Sequence, residues 1–306
     1  MYSLRGIKKG LRQPRVLVQE INRLYHRRLR TDPHNTAGID VFDADWDNLL
    51  ILDACRYDLF ERVSDLPGDL RPVRSRASST REFLRANFDG RELLDTVYVT
   101  SSPMLYRHRD EVDTRLHDVV NVWRDRGWNE KYRTVLPETM TEAAIDAAER
   151  YPDKRILVHY MQPHYPFIGP TGREHFDLDS LNFEWKAVRR GDIDVSDEVV
   201  ANAYRENLEE AMPAIESALR SLPGLSVVTA DHGQVIGSPS FPIPMKEYGH
   251  PPGIYTDGLV EVPWLTFQNG PRRSIVAEEP VRERDSAPEE EQSLAQNRLR
   301  QLGYLE

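Results

Sequence analysis

An acidic residue and a histidine stand side by side after an apolar run late in the chain. Asp231, His232 and Gly233 follow the run Leu225–Ala230. A carboxylate and an imidazole at adjacent positions can face one cation only where the backbone turns sharply, which Gly233 permits. Oxygen and nitrogen ligands suit Mn²⁺, Zn²⁺ or Fe²⁺, and also Mg²⁺ or Ca²⁺ when the other ligands are carboxylates. The triplet therefore predicts a metal site or, alternatively, a turn in which Asp231 caps a helix.

A second carboxylate, Asp53, ends the apolar run Asn48–Asp53, so a buried strand would carry it to the edge of a sheet. Removing an unpaired carboxylate from water is costly, and a nearby cation offsets that cost. The alternative is an ion pair of Asp53 with Arg56 or Arg76. The single cysteine, Cys55, is expected to be a small buried side chain and not a nucleophile, because no local motif activates it.

Hydroxyl groups cluster just before a helical pattern at Thr80–Phe88. They belong to Ser75, Ser78, Ser79 and Thr80. The free N–H groups and positive dipole end of a helix N-terminus favour a phosphate or sulfate group. Beside a metal ion, one of these hydroxyls could act as a nucleophile. The alternative is that Ser78 or Ser79 only caps the helix.

Three histidines lie in or beside segments that prolines stiffen. His159 and His164 belong to the segment HYMQPHYPF, in which Pro163 ends the strand-like run. His250 belongs to the segment YGHPPG, ahead of the last apolar run. Each histidine could bind a metal ion or be an ordinary loop residue.

The order of these motifs resembles the alkaline phosphatase/sulfatase-like superfamily over about residues 45–268. The run SRASSTREF resembles the segment in which a Ser or Thr nucleophile precedes a helix. The run HYMQPHYPF resembles the HxPHxPF/Y segment, and YGHPPG with VEVPWL resembles the late histidine and closing strand. The resemblance implies a metal-dependent enzyme that handles phosphate or sulfate esters.

The resemblance also implies a role for each candidate residue. The metal ligands would be Asp53, Asp231, His232 and His250, and the catalytic residues would be Thr80, Ser79 as the reserve nucleophile, and His164. His164 and His250 would hold a second metal, or would donate hydrogen bonds to the transferred group where one metal is present. We further expect His159, Arg56 and Lys246 to bind the substrate. The expected cofactor is one divalent cation, Mn²⁺, Mg²⁺, Ca²⁺ or Zn²⁺.

Departures from the family pattern limit which reactions and how many metal ions we expect. Where sulfatases have a Cys-x-Pro-x-Arg motif, this chain has Thr80-Arg81-Glu82-Phe83-Leu84, which excludes formylglycine chemistry and disfavours sulfate-ester hydrolysis. Asp53 is followed by Ala54 and not by a second acid, and the sequence has no clear Asp-x-x-x-His pair in mid-chain. These two departures favour one metal ion. The Pro-Ser that follows the nucleophile in many relatives is also missing.

Strand-like and helical stretches alternate along the chain and must position these residues. The predicted strands are Asn48–Asp53, Thr96–Thr100, Arg155–Met161, Leu225–Ala230 and Val262–Phe267, and the predicted helices are Thr80–Phe88, Asp110–Arg126, Glu138–Tyr151 and Ser196–Leu222. Near-continuous apolar runs are typical of a parallel sheet covered on both faces. We therefore predict an α/β fold, a three-layer α/β/α sandwich with a mainly parallel central sheet. Ligands bind at the carboxyl ends of such strands, where Asp53 and Asp231 would meet.

Charge is distributed unevenly along the 306 residues. Residues 1–32 carry a net charge of +7 and the remaining residues −17, and so acidic a body argues against nucleic-acid binding. We predict a basic N-terminal arm with an amphipathic helix over residues 1–35, an alkaline phosphatase/sulfatase-like domain over 36–272 and an acidic C-terminal tail over 273–306. The helix at residues 14–30 would pack on its own domain or lie on an anionic membrane surface.

These patterns lead to an expected location and to three hypotheses about function. The sequence has neither an apolar run of the roughly 20 residues that cross a membrane nor a secretory signal, so we expect a cytoplasmic protein, or one peripheral at the inner membrane face. The first hypothesis is a metal-dependent hydrolase of phosphate or sulfate esters. The second is a membrane-surface transferase of phospho or sulfo groups that acts on lipid-linked or glycan substrates. The third is a catalytically inactive binding module.

Overall fold

A seven-stranded sheet forms the centre of the computed structural model, which describes residues 14–124, 127–176, 185, 188, 194–280 and 289–304. The strands are β1 (Asn48–Leu52), β2 (Asp69–Arg74), β3 (Arg91–Thr100), β4 (Thr114–Asn121), β5 (Trp128–Asn129), β6 (Thr134–Val135), β7 (Arg155–Tyr160), β8 (Gly224–Ala230), β9 (Val235–Pro239), β10 (Lys246–Gly249) and β11 (Glu261–Asn269). The sheet order is β2-β11-β8-β1-β7-β3-β4, and β5-β6 and β9-β10 form two small ladders. Strand β11 runs antiparallel to β8 and β2, and the other pairs of the main sheet are parallel.

Helices cover this sheet, as the α/β pattern predicts. They are α1 (Pro14–His26), α2 (Tyr57–Val63), α3 (Thr80–Phe88), α4 (Met104–Arg107), α5 (Pro137–Arg150), α6 (Pro170–His175), α7 (Asp197–Ser221), α8 (Asp257–Val260) and α9 (Glu289–Gln301). Helix α7 begins where its sequence predicts, because the Ser196 hydroxyl accepts a hydrogen bond from the Val199 N–H. The predicted α/β fold with a mainly parallel sheet is confirmed.

The most buried strands are those that the apolar runs predict. All five residues of β1 are buried, and β1 lies between β7 and β8 in the middle of the sheet. A strand with neighbours on both sides and helices on both faces has no solvent-facing side, so it needs no polar alternation. The sequence runs of β1, β7 and β8 therefore match their places in the sheet.

One predicted helix is wrong, and neither edge strand of the main sheet is among the predicted strands. Residues 114–121 of the predicted helix Asp110–Arg126 form the edge strand β4, which pairs with β3 alone in the main sheet. The other edge strand, β2, has the sequence DLRPVR, in which the charges and Pro72 are typical of an edge and obscure the strand signal.

Both ends of the described chain pack on the domain. On α1, the buried Asn22 side chain contacts Ser240 and Ile243, and Arg27 forms an ion pair with Glu82. On the C-terminal side, Ala295 and Leu299 of α9 are buried. No helix in the described ranges is both long and apolar enough to cross a membrane. The division of the chain at residues 35 and 272 stays a prediction.

Candidate metal centre and nucleophile

The two candidate carboxylates lie side by side because their strands are neighbours. Strands β1 and β8 pair in parallel with Leu52 opposite Ala230, so Asp53 and Asp231 extend from the same edge of the sheet. The Ala54 N–H donates to Asp231 Oδ1 at 3.0 Å. Ala54 itself has a φ of +61°, a sparsely populated conformation for a residue other than glycine. The backbone turn after β1 is therefore shaped around the second carboxylate.

Asp53, Asp231 and His232 form one fully buried cluster. Their candidate ligand atoms all lie within 4.8 Å of one another. His232 Nε2 is 3.3 Å from Asp231 Oδ2 and 3.7 Å from Asp53 Oδ1. Neither of these two carboxylate oxygens has a hydrogen-bond partner within the described part of the chain. Buried polar atoms without a partner are rare, so this cluster calls for a further group at its centre.

The orientation of the His232 ring indicates what that group is. The ring pairs through Nδ1 with the carbonyl oxygen of Gly233 at 2.8 Å, which assigns the proton to Nδ1 and leaves a lone pair on Nε2. Burial lowers the pKa of His232 to about 3, so the ring is neutral at neutral pH. A lone pair that faces two carboxylates is repulsive unless a cation lies between them. The donor set, two carboxylate oxygens and one imidazole nitrogen, fits a divalent cation.

Burial also raises the pKa of both carboxyl groups. For Asp53 the loss of hydration is the main cause and the nearby charge of Asp231 adds to it, whereas a hydrogen bond from Tyr304 opposes the shift. For Asp231 the loss of hydration again dominates, and His159 and the Ala54 N–H oppose it. The cluster is thus destabilised as it ionises and would be stabilised by a bound cation.

Thr80 is the hydroxyl residue that the structure brings to this cluster. It is the first residue of α3, its side chain is buried, and its Oγ1 lies 3.2 Å from His232 Nε2. Ser79 is the N-cap residue of α3 but makes no side-chain cap hydrogen bond. Ser78 is instead held by Glu82, which accepts hydrogen bonds from its N–H and its hydroxyl. The described contacts thus join Thr80, and not Ser79, to His232.

His164 and His250 form a pair next to the cluster. Their Nε2 atoms are 3.0 Å apart, and the rings of His250 and His232 stack with centroids 4.6 Å apart. His164 pairs through Nδ1 with the carbonyl oxygen of Tyr165, so His164 Nε2 accepts the proton of His250 Nε2. Burial lowers the pKa of His164 to about 3 and that of His250 well below its ordinary value. Both rings are neutral, and within the described residues the Nδ1 atom of His250 is the nitrogen of this pair that lacks a hydrogen-bond partner.

The remaining candidates divide between the site and the surface. His159 lies at the site, with its Nε2 3.8 Å from Asp231 Oδ2. Lys246 is largely exposed and pairs with Asp197 at 2.6 Å, and Arg56 forms a two-contact ion pair with Asp58. Arg56 also donates from Nη1 to the Gln234 carbonyl oxygen at 3.4 Å, two residues after His232. Lys246 and Arg56 are thus engaged in other contacts, and their role in substrate binding stays a prediction.

The structure also shows the partners of Arg76, Arg56 and Asp231, for which the sequence allows alternatives. Arg76 pairs with Asp40 and not with Asp53, and Arg56 pairs with Asp58. Asp231 does not cap a helix, since its carboxylate accepts the N–H groups of Ala54 and His232. Cys55 is a buried free thiol.

Three residues at or near the site were not anticipated. Asn207 of α7 donates to the carbonyl oxygens of Pro163, His164 and Pro166, and so fixes the His164 segment. Glu82 joins α3 to α1 through Arg27. Tyr304, near the C-terminus, donates a hydrogen bond to Asp53. No local sequence signal identifies these contacts, because each joins residues far apart in the chain.

A substitution at Asp231 should have opposite effects without and with metal. In the metal-free protein Asp231→Asn removes a buried like charge, so we expect the free energy of unfolding to rise or stay level. With saturating Mn²⁺ the same variant loses a ligand, and we expect it to be less stable than the wild type by about 1–3 kcal/mol. Thermal unfolding of the wild type and the variant, with and without MnCl₂, measures both stability differences. Equal stabilisation of wild type and variant by Mn²⁺ would show that the ion binds elsewhere.

Metal binding should release protons. Because the pKa values of Asp53 and Asp231 are raised above 3.8, a cation must displace protons from them, and affinity should increase as pH rises through those values. In the metal-free protein the native state binds more protons than the unfolded state, so these groups make the free energy of unfolding fall over the same pH range. Calorimetric Mn²⁺ titrations in buffers of different ionisation enthalpy count the protons. A pH-independent affinity would contradict the assignment.

Comparisons with known proteins report similarity to solved structures alone. No family model matches the sequence, and no curated protein matches it. One similar structure is the integral membrane protein lipooligosaccharide phosphoethanolamine transferase A from Neisseria meningitidis, with 13% identity, a TM-score of 0.49 and coverage of 72% of this chain. The match covers 47% of that protein, so this chain corresponds to about half of its length.

Two further structures extend this set. The C-terminal periplasmic domain of a phosphoethanolamine transferase from Escherichia coli, in complex with Zn, is 12% identical with a TM-score of 0.44, and the match covers 76% of this chain and 75% of that one. A phosphonate monoester hydrolase from Silicibacter pomeroyi is 12% identical with a TM-score of 0.42, and the match covers 74% and 69%.

These comparisons correct one expectation and agree with another. The predicted cytoplasmic location, including the inner membrane face, is contradicted, because the transferase domains among the similar structures are described as periplasmic. All these structures belong to the alkaline phosphatase/sulfatase-like superfamily, the family that the sequence motifs resemble.

Proposed function

We propose that this chain is a metal-dependent enzyme that cleaves phosphate or sulfate esters through Thr80. The observation that supports this most directly is the Thr80 hydroxyl at the start of α3, 3.2 Å from His232 and beside two buried carboxylates. Asp53, Asp231 and His232 would hold the cation. When bound, the cation supplies positive charge that lowers the pKa of a neighbouring hydroxyl and balances the charge of the ester oxygens.

Side chains and backbone groups of the chain would carry out the group transfer itself. The Thr80 hydroxyl gives up its proton to water as its oxygen attacks the phosphorus or sulfur atom. The bond from that atom to the ester oxygen breaks, the departing alcohol takes up a proton from water, and the group is held on Thr80. The N–H groups at the start of α3 would donate to the anionic oxygens of the transferred group. The Nε2 proton of His250 is held by His164 in this structure and would have to turn from His164 to that group in order to bind it. Water as the second acceptor would make the enzyme a hydrolase, and an alcohol would make it a transferase.

Thr80 and Ser79 offer a matched test of the nucleophile. With Mn²⁺ and aryl phosphate, phosphodiester and aryl sulfate esters, we expect Thr80→Ala to lower turnover by at least about 10³-fold, because the covalent step is lost. Ser79→Ala should stay within a few fold of wild type. Mass spectrometry of the quenched reaction should find the transferred group on the peptide that contains Thr80. Equal activity of wild type and Thr80→Ala, or a folded wild type that neither binds metal nor turns over any ester, would overturn the proposal.

A second candidate, a transferase that acts on lipid-linked substrates at a membrane surface, is favoured by one exposed surface. Eight large apolar side chains are exposed among the described residues, and all but Val276 lie on or beside α1. Leu17, Ile21, Tyr25 and Leu29 recur every four residues. We call these four, with Phe241 and Ile243, the apolar patch.

The two parts of the apolar patch meet at Tyr25, and four of its residues lie in the basic part of the chain. Tyr25 packs edge-on against Phe241 with ring centroids 5.4 Å apart, and Asn22 bonds the backbone of Ile243. Residues 1–32 carry a net charge of +7, most of it in the segments before and after α1. Exposed apolar side chains within a basic segment have the character of a surface that binds anionic lipid.

Vesicle binding tests the second candidate. We expect the protein to sediment with vesicles of phosphatidylcholine and phosphatidylglycerol, more weakly with phosphatidylcholine alone, and less at high salt. Leu17→Glu with Ile21→Glu should reduce binding by at least about tenfold, because two apolar side chains would no longer enter the interface. Val276→Glu, at an exposed apolar site outside the patch, is the control and should bind as the wild type does.

Two outcomes would contradict the lipid surface. The first is sedimentation that the double variant leaves unchanged. The second is a wild-type dimer that the double variant converts to a monomer without any vesicle binding, because the patch would then bind a second copy of the chain. Both leave the Thr80 test unaffected.

A further inference from the structure

The side chain of Tyr304 enters the candidate active site from the C-terminal end of the chain. Its hydroxyl donates to Asp53 Oδ2, and its ring stacks on His164 with centroids 4.8 Å apart and an interplanar angle of 10°. The same ring lies edge-on to His250, with centroids 6.2 Å apart. One aromatic side chain thus contacts a proposed metal ligand and both histidines of the neighbouring pair.

A specific helix end directs Tyr304 into the site. Helix α9 is followed by Gly303, whose φ of +77° lies in the left-handed region that glycine adopts readily. The Gly303 N–H bonds the Arg300 carbonyl oxygen at 3.1 Å, and the Tyr304 N–H bonds that of Leu299 at 3.0 Å. This pair of bonds is the Schellman arrangement, which reverses the chain at a helix C-terminus.

Helix α9 is attached to the domain by apolar residues that join the main core and by polar contacts at its sides. Its buried side chains are Ala295 and Leu299, and Leu302 follows them. Arg298 lies over the Trp128 ring, 4.1 Å from its centroid, and pairs with the exposed Glu130 at 2.9 Å. Ala295, Leu299 and Leu302 belong to the main hydrophobic core, and Tyr304 packs against it. Because Tyr304 follows the last of these buried residues, its side chain can leave the site while α9 stays packed.

Tyr304 lies on the side of the site that a substrate would need. The atoms that face the proposed cation, Asp53 Oδ1 and Asp231 Oδ2, are left without a partner among the described residues, whereas Tyr304 bonds the other oxygen of Asp53. With the segment docked, Asp53, Thr80 and His164 are each at most 2% exposed. An ester cannot reach Thr80 and the histidine pair while the Tyr304 ring covers them.

We propose that Tyr304 is an intramolecular occupant of the substrate side of the site, and that its side chain must withdraw before an ester can bind. The occupant places a flat aromatic ring on His164 and an oxygen atom at Asp53, next to Thr80. The substrate side therefore also suits an ester whose leaving group is planar or aromatic. The expected effect on turnover rests on the proposed function. The covering of the site by Tyr304 does not, because it is a property of the fold.

Chemical labelling tests the closure without any need for activity or metal. Carbethoxylation of His164 and His250 by diethyl pyrocarbonate, followed by peptide mass spectrometry, should be at least about tenfold faster in Tyr304→Ala than in wild type, which corresponds to a loss of about 1.4 kcal/mol of docking. Tyr304→Phe keeps the ring but loses the bond to Asp53, and should fall between the two. Gln296→Ala, at an exposed position of α9, should label as the wild type does.

Turnover of an aryl ester gives a second, independent result. If the proposed function holds, Tyr304→Ala should lower KM by a similar factor and leave kcat near the wild-type value, with Mn²⁺ affinity within a few fold. Equal labelling of wild type and Tyr304→Ala would overturn the closure. If Tyr304→Ala is labelled faster but has a much lower kcat than the wild type, Tyr304 takes part in catalysis. That result would also contradict the proposal that the Tyr304 contact is inhibitory. Faster labelling without turnover in any variant would retain the closure and contradict only the proposed function.

Discussion

The burial of two carboxylates side by side is the constraint on which the rest of the site depends. Asp53 and Asp231 are fully buried, and neither has an Arg or Lys ion-pair partner among the described residues. Two such groups repel each other as they ionise, and their hydration is lost. A cation would remove both penalties at once, and the lone pair of His232 points to the same place. The metal centre is thus the arrangement that gives each of these buried atoms a partner.

The fold supplies the rigidity that keeps this unfavourable pair together. Asp53 is attached to β1, the middle strand of the sheet, and Asp231 to its parallel neighbour β8, so backbone pairing sets their separation. The turn after β1 is held by Tyr204 of α7, whose hydroxyl donates to the Ala54 carbonyl oxygen and accepts the Arg56 N–H. Asn207, one helical turn further along α7, fixes the His164 segment. A single helix thus positions residues from two strand ends.

The sequence predicts this fold and site well where the signal is local. The strands β1, β7 and β8 are found from apolar runs because central strands need such runs, and Asp53 and Asp231 follow from the rule that polar residues after parallel strands meet at one edge. Strand β4 was read as a helix because an edge strand such as Thr114–Asn121 carries polar and charged residues in no clear period. Lys246 is expected from the sequence to bind the substrate, but its side chain on β10 pairs with Asp197 in the structure.

Contacts between distant parts of the chain could not be predicted in this way, and they connect both ends of the chain to the same site. Arg27 of α1 pairs with Glu82, and Glu82 also binds the backbone of Ser78, just before α3. Tyr304 reaches Asp53 across 251 positions of sequence. Loss of the Arg27–Glu82 ion pair would therefore alter the segment that precedes Thr80, and withdrawal of Tyr304 would uncover His164. Because these two sets of contacts share no residue, α1 and the C-terminal segment can influence the site separately.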